Sequence, residues 1–181
     1  HRLLWISPCF LESAEARFYG ALSHAAQCDP ADPVQHQHHF EALSGHYKQL
    51  VEWGEYCPEN FENRVALVGA EIARIEGRVI EAEHLYEQAI RSAQTNGFVH
   101  GEALAYELAA GFYLARGFAQ IAYLYLQNAR DSYVRWGADG KVRQLEATYP
   151  RLRTEQAPSP LTGTIAASVE RPGTCTARKS Q

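Results

Sequence analysis

The segment GRVIEAEHLYEQAI, residues 77–90, carries the pattern that decides the fold of this chain. Gly77 opens it, and glycine often lies just past a helix end because it adopts a positive φ without steric cost. The apolar residues that follow recur at steps of three and four, with glutamates between them, as on an amphipathic α-helix. The segment therefore predicts a turn and then a helix. Its apolar stripe consists of Ala82, Leu85, Tyr86, Ala89, Ile90 and Ala93.

Three further glycines continue the spacing that Gly77 begins. Gly97, Gly117 and Gly137 follow at intervals of twenty residues, each after a stretch of helical periodicity. No proline interrupts the chain between Pro58 and Pro150. This spacing predicts helices of about sixteen to eighteen residues joined by tight turns.

The same region contains an internal repeat of forty residues. Most of the matched residues are small, which suits positions where two helix backbones approach closely. The residues that recur are mainly those that suit helix packing, and the repeat does not point to a reactive site. The matched pairs are Glu62 and Glu102, Ala70 and Ala110, Gly77 and Gly117, Ala82 and Ala122, Ala89 and Ala129, Ser92 and Ser132, and Gly97 and Gly137.

The repeat predicts an all-α domain over residues 1–153. Two further helices, about Cys9 to Gln27 and Gln35 to Tyr56, are expected upstream of it. Beyond residue 153 the chain is rich in Pro, Ser, Thr and Gly and poor in large apolar residues, so 154–181 is predicted to be a linker or disordered tail. The predicted helix hairpins cover about 9–56, 59–96 and 99–136, and a capping helix covers about 140–149.

Composition and charge exclude several classes of protein. The chain has 181 residues, 46% of them hydrophobic, which is enough to bury one core. Its formal net charge is −4, and its charged residues form neither a basic face that would bind nucleic acid nor an acidic block. Four scattered cysteines form no CxxC pair, so reduced thiols are expected at Cys9, Cys28, Cys57 and Cys175.

The opening residues predict a fragment of a cytosolic protein. The chain starts at His1, contains no Met, and enters the apolar run Leu3-Leu4-Trp5-Ile6 at once. This run is too short to span a bilayer and lacks the basic start and cleavage site of a signal peptide. We expect no membrane contact.

Residues 77–90 resemble the turn and second helix of a tetratricopeptide repeat, with Gly, Ala, an aromatic residue and Ala in register. The resemblance implies antiparallel helix hairpins stacked as a short right-handed solenoid. The forty-residue period is longer than the usual period of about thirty-four, so a helix or turn must be extended.

A second resemblance covers most of the chain and rests on residues 57–61, 70–74, 102–110, 112–113 and 135–142. These segments resemble the helical region of large bacterial and fungal hybrid signalling kinases. In that family a Ser/Thr-kinase-like domain and an AAA ATPase precede the helical region, and a GAF domain and a sensor histidine kinase follow it. The resemblance implies a connector whose partners are those neighbouring domains or a peptide segment.

The sequence lacks the family's catalytic motifs. It contains no GxxxxGK[ST] phosphate loop, no kinase catalytic loop and no histidine-kinase phosphoacceptor box. We therefore predict that this segment is not an enzyme, and we assign no catalytic, cofactor-binding or metal-binding residue.

A group of histidines suggests a metal site, which we weigh against an ordinary surface. His36, His38 and His39 precede Phe40 in the sequence, with His24 and His46 nearby. At helical spacing His36 and His39 share a face, while His38 points elsewhere. No Cys, Asp or Glu completes a tetrahedral set, so the prediction is that no metal binds.

Charged pairs inside apolar helices suggest a catalytic acid or a structural ion pair. Glu71 and Arg74 lie three residues apart, and Glu107 and Arg116 lie on one helix of the next repeat. Intrahelical pairing, or a hydrogen bond to the neighbouring turn, needs no further assumption, so we predict a structural role in both cases.

A high density of aromatic residues suggests either core or a ligand groove. Most of them should fill the space between helix layers, and a minority could line a concave face that holds a peptide. The residues concerned are Tyr106, Phe112, Tyr113, Tyr123, Tyr125, Tyr133 and Trp136.

The sequence favours a non-catalytic helical-repeat scaffold or connector of a multidomain signal-transduction kinase. The alternative is a free-standing tetratricopeptide-like adaptor that binds peptides, and a third possibility is an enzyme within a helical fold. An adaptor predicts an open groove with polar and aromatic side chains, whereas a spacer predicts covered or featureless faces. An enzyme predicts titratable groups that converge in one pocket.

Overall fold

The computed structural model describes residues 11–154, which form α-helices and no strand. The prediction of an all-helical chain is confirmed for this range. Cys9, Cys175 and the predicted tail from residue 155 onward lie outside it. The eight helices are α1 Leu11–Ala26, α2 Pro33–Tyr56, α3 Pro58–Ile75, α4 Val79–Thr95, α5 Val99–Ala115, α6 Ala119–Trp136, α7 Asp139–Thr148 and α8 Arg151–Thr154.

Two helices begin earlier than the sequence predicts, and both begin at proline. Helix α2 begins at Pro33, because the Asp32 carboxylate caps it by accepting hydrogen bonds from the backbone amides of Val34 and Gln35 at 3.1 Å. Helix α3 begins at Pro58. Proline suits the first helical position, where its missing N–H would have no intrahelical partner. Helix α8 was not predicted.

The four evenly spaced glycines end helices in one repeated turn. Gly77, Gly97, Gly117 and Gly137 have φ of 74°, 74°, 83° and 79°. After each glycine, the next backbone amide donates to the carbonyl five residues earlier, and the glycine amide donates to the carbonyl three residues earlier. These are the bonds of a Schellman motif. The long bonds measure 2.8–3.0 Å and run from residues 78, 98, 118 and 138 to residues 73, 93, 113 and 133.

The forty-residue repeat is also visible in which side chains the helices bury. Every buried position of α4 has a buried counterpart in α6 forty residues later, even where the residue type differs. The sequence repeat is therefore a repeat of packing geometry. The buried pairs are Ala82 and Ala122, Tyr86 and Leu126, Ala89 and Ala129, Ile90 and Arg130, Ser92 and Ser132, and Ala93 and Tyr133.

Consecutive helices pack against each other, most extensively α3 with α4 and α5 with α6. Helix α1 also contacts α3, and α3 contacts α5. One core cluster joins α1 to α5 around Phe18, Leu67 and Tyr86, and a second lies under α6 to α8. In the second cluster Leu145 of α7 is buried, with Val142 and Tyr149 packed beside it.

Replacing glycine by alanine should change the free energy of unfolding in opposite directions at a turn glycine and at a glycine inside a helix. Gly97→Ala should lower the free energy of unfolding by about 1 kcal/mol, because alanine is strained at a positive φ. Gly45→Ala, in the interior of α2 where an added Cβ meets no atom within 4 Å, should raise it by about 0.5–1 kcal/mol. Urea denaturation of both variants measures this. Equal effects of the two substitutions would contradict the assigned turn.

Candidate functional site

An open groove of about 520 Å³ is the candidate site. Its floor and sides come mainly from α3 and α5, with Gly111 and Phe112 of α5 among the lining residues. Ala26, the last residue of α1, and Tyr149, just after α7, also line it. Val79, the first residue of α4, lines it as well, so the groove draws on α1, α3, α4 and α5 and on the end of α7.

Glu71 is a buried carboxylate of the groove, and protein groups occupy both of its oxygens. The Tyr86 hydroxyl donates to Oε1 at 2.5 Å, and Arg74 donates to Oε2 through Nε at 2.9 Å and Nη2 at 2.7 Å. The predicted pairing of Glu71 with Arg74 within α3 is present. Burial, and then the charge of Glu71, raises the pKa of Tyr86 far above its ordinary value. Burial alone would lower the pKa of Arg74, but Glu71 raises it.

Glu107, the second carboxylate of the groove, is also fully engaged. The Tyr133 hydroxyl donates to Oε2 at 2.5 Å, and the Lys141 ammonium donates to Oε1 at 2.8 Å. The predicted pairing of Glu107 with Arg116 is wrong. Nine residues separate them, which is about 13 Å along a helix axis, so their side chains do not meet. Arg116 instead pairs with Glu83 of α4.

The two arginines of the groove keep unused hydrogen-bond donors. Arg116 lies over the rings of Phe112 and Phe118, each 5.1 Å from the guanidinium carbon, and only its Nη1 bonds to Glu83. Arg74 uses Nε and Nη2, the latter also reaching the Ala25 carbonyl at 3.5 Å. Within residues 11–154, Nε and Nη2 of Arg116 have no hydrogen-bond partner, whereas Arg74 also hydrogen-bonds to Tyr86. A guanidinium carries five N–H donors, so the groove offers donors and no free carboxylate oxygen.

The histidines gather in a different set from the one that sequence proximity suggested. His24 of α1 and His39 of α2 place their Nδ1 atoms 3.0 Å apart, and the His46 ring stacks on His24 with centroids 5.7 Å apart. His36 instead stacks on Phe40. No group of three or more His, Cys, Asp or Glu in residues 11–154 is arranged to hold a metal ion.

Most of the predicted aromatic residues pack into the core. Tyr133 and Phe112 are buried, and Phe112 also lines the groove. Trp136 is half exposed and lies 5.6 Å from the His100 ring, away from the groove lining. Tyr149, which the sequence places only in the closing helix, is the second aromatic residue of the groove. The remaining four, Tyr106, Tyr113, Tyr123 and Tyr125, are partly buried against the core clusters.

No protein-family model, curated protein or solved structure matches the chain significantly. Among the helices of residues 11–154, none combines the length and the apolar character needed to cross a bilayer.

The Tyr86–Glu71 hydrogen bond predicts a stability loss when the hydroxyl is removed. Tyr86→Phe should lower the free energy of unfolding at neutral pH by about 1.5–3 kcal/mol, because a buried carboxylate oxygen loses its donor. Urea denaturation measures the change. Tyr56→Phe is the control, since Tyr56 is 83% exposed, and it should have no measurable effect.

The raised pKa of Tyr86 also predicts a loss of stability in alkali. The folded state holds the phenol neutral, whereas the unfolded phenol ionises at about pH 10, so stability is complete below that pH and falls as the pH rises above it. Tyr86→Phe should make this alkaline decline shallower. An unchanged slope in the variant would show that Tyr86 does not contribute to it.

Proposed function

We propose that this chain is a non-catalytic helical-repeat segment that binds a protein partner in the groove. In this proposal the helix pairs stack as a short right-handed solenoid of the tetratricopeptide type. The groove lies on its concave side. The single observation that carries the proposal is the groove itself, which is open and is lined by successive helix pairs.

Two features of the packing support the solenoid. In a solenoid, equivalent elements of successive repeats contact each other, and each repeat contacts only its neighbours. The contacts of α1 with α3 and of α3 with α5 agree with that arrangement. The matching buried positions of α4 and α6 agree with equivalent roles for these two helices.

The unused donors indicate the chemistry of the partner. Arg74 and Arg116 need acceptors, and charge-assisted bonds to carboxylates are the strongest that a guanidinium makes with a peptide. Leu108, Phe112 and Tyr149 offer apolar contact beside them. We therefore propose an extended peptide segment with both apolar and acidic side chains.

The engaged carboxylates argue against the enzyme alternative. A general base must take up a substrate proton, and hydrogen bonds donated to a carboxylate stabilise its charged form and make it less basic. Both oxygens of Glu71 and of Glu107 already accept hydrogen bonds from tyrosine, arginine or lysine side chains of this chain. These groups fit a structural role.

The setting of the segment follows from the resemblance in residues 57–61 and 102–110. That resemblance supports a connector in a multidomain signal-transduction kinase, in which the partner segment belongs to a neighbouring ATPase, GAF or kinase domain. The open groove favours binding over a passive spacer. It fits a free-standing adaptor equally well, and both versions use the same groove.

A substitution at Gly111 tests the groove. Gly111 lines it, and an added Cβ meets no atom within 4 Å, so Gly111→Gln should fold and fill the groove. The probe is a fluorescein-labelled peptide of leucine and glutamate residues, measured by fluorescence anisotropy. We expect binding in the micromolar range and at least about tenfold weaker binding to Gly111→Gln.

Two controls accompany this measurement. Gly45→Gln, in another helix interior with open space, should bind as the unchanged chain does. The same peptide with glutamine in place of every glutamate should bind at least about tenfold more weakly, because the charge-assisted bonds are lost. Absence of binding to the acidic peptide, or equal binding to Gly111→Gln, would contradict the proposal.

A further inference from the structure

Four imidazoles meet where α1 packs against α2, and neither the helix pattern nor the groove explains them. They are His24 on α1 and His38, His39 and His46 on α2, and we call them the histidine cluster. His46 is buried, with 6% of its surface exposed. A group of titratable rings at a helix–helix contact is sensitive to pH near neutrality, because imidazole changes charge there.

The contacts of the cluster suit neutral rings. The Nδ1 atoms of His24 and His39 lie 3.0 Å apart, so one must carry the proton and the other must present its lone pair. His46 Nδ1 lies 3.4 Å from the Arg17 guanidinium, where it can accept a hydrogen bond only when that nitrogen is unprotonated. When both rings of the His24–His39 pair are protonated, two N–H donors face each other. Proton uptake therefore turns an attractive contact into a repulsive one.

Basic side chains act on His24 and His46. His39 and His38 act on His24, and Arg17 and His24 act on His46. Burial and these neighbours lower the pKa of both His24 and His46, with burial the larger cause. The C-terminal end of α1 favours a cation at His24, but the other two effects outweigh it.

Helix α3 packs against both α1 and α2, and none of its carboxylates is among the groups that shift the pKa of His24 or His46. Of the charged side chains by which it contacts α1, Arg64 pairs with Glu15. Arg74, which reaches the Ala25 carbonyl, pairs with Glu71. Glu15 and Glu71 are therefore already neutralised by arginines, and they do not compensate charge on the histidines.

The cluster is connected to the groove through the last turn of α1. His24 directly precedes Ala25, whose carbonyl receives the Arg74 N–H, and Ala26, which lines the groove. A shift of this turn would change both the position of Arg74 and one wall of the groove.

We propose that proton uptake by the histidine cluster loosens the α1–α2 contact and displaces the α1 wall of the groove, so that partner binding falls at mildly acidic pH. The inference about the groove rests on the proposed function. The loosening of α1 does not.

The direction of the pH effect follows from the lowered pKa values. An unfolded histidine takes up its proton at a pH of about 6.5, whereas the folded state lowers the pKa of His24 and His46. At a pH between the lowered folded-state pKa and about 6.5, the unfolded state binds more protons than the folded state. The free energy of unfolding is therefore at its full value above about pH 6.5 and falls as the pH drops below it. The α1–α2 contact should therefore weaken as the pH falls below about 6.5.

Hydrogen–deuterium exchange of the full chain tests the loosening of α1. Exchange rates at about pH 7.5 and about pH 5.5 are corrected for the intrinsic effect of pH on exchange. We expect α1 to lose at least about tenfold protection at the lower pH, while α4 and α5 keep theirs. Unchanged protection of α1, or an equal loss in α4 and α5, would overturn the proposal.

Variants assign the effect to the cluster. His24→Gln with His39→Gln should reduce the pH dependence of α1 protection, and the part that remains belongs to His46. His84→Gln, at an exposed position of α4, should keep it in full. An undiminished pH dependence in the double variant would overturn the proposal. Should the double variant not fold, NMR titration of the His24 ring in the unchanged chain decides the same question. A pKa below about 6.5 supports the proposal, and an ordinary or raised pKa overturns it.

The acidic peptide probe separates this inference from the proposed function. Loss of α1 protection together with weaker peptide binding at about pH 5.5 supports both, since glutamate stays largely ionised there. Loss of α1 protection without any peptide binding at either pH would overturn the groove as a binding site and leave the α1 response standing. Peptide binding that does not change with pH would overturn the control of the groove by the cluster.

Discussion

One backbone hydrogen bond, repeated every twenty residues, determines the shape of this protein. After each glycine with positive φ, the next amide donates to the carbonyl five residues earlier and ends the helix. This sets α3 to α6 at seventeen or eighteen residues and places an equivalent start for each following helix. Equal helices joined by equal turns then bury equivalent positions, which explains why α4 and α6 match in burial even where the residues differ.

The helices and turns could be predicted from the sequence because their causes are local. Glycine spacing, apolar periodicity and prolines each act within a few residues, and the misplaced starts at Pro33 and Pro58 differ from prediction by only one or two positions. The pairing of Glu107 could not be predicted in this way. It depends on Tyr133 and Lys141, which are remote in sequence and are brought to it by the packing of α5 against α6 and α7.

The candidate site also depends on contacts between residues that are remote in sequence, and these could not be predicted. The sequence identified Glu71 with Arg74 and named Phe112, but it did not place Tyr149 or Ala26 beside them, because the groove forms only when helices from separate pairs come together. The histidines show the same limit: the sequence placed His24 and His46 near His36, His38 and His39, but only the packing of α1 on α2 shows that His24 contacts His39 and His46 while His36 stacks on Phe40. In the groove, tyrosine, arginine and lysine side chains hold the carboxylates of Glu71 and Glu107.

The most direct test of this account is the measurement by NMR of scalar couplings across backbone hydrogen bonds. The account predicts couplings from the amide nitrogens of residues 78, 98, 118 and 138 to the carbonyl carbons of residues 73, 93, 113 and 133. Four such couplings would establish the same turn at each interval of the repeat. Couplings to the carbonyl four residues earlier, continuous through the glycines, would mean longer unbroken helices and would contradict the account.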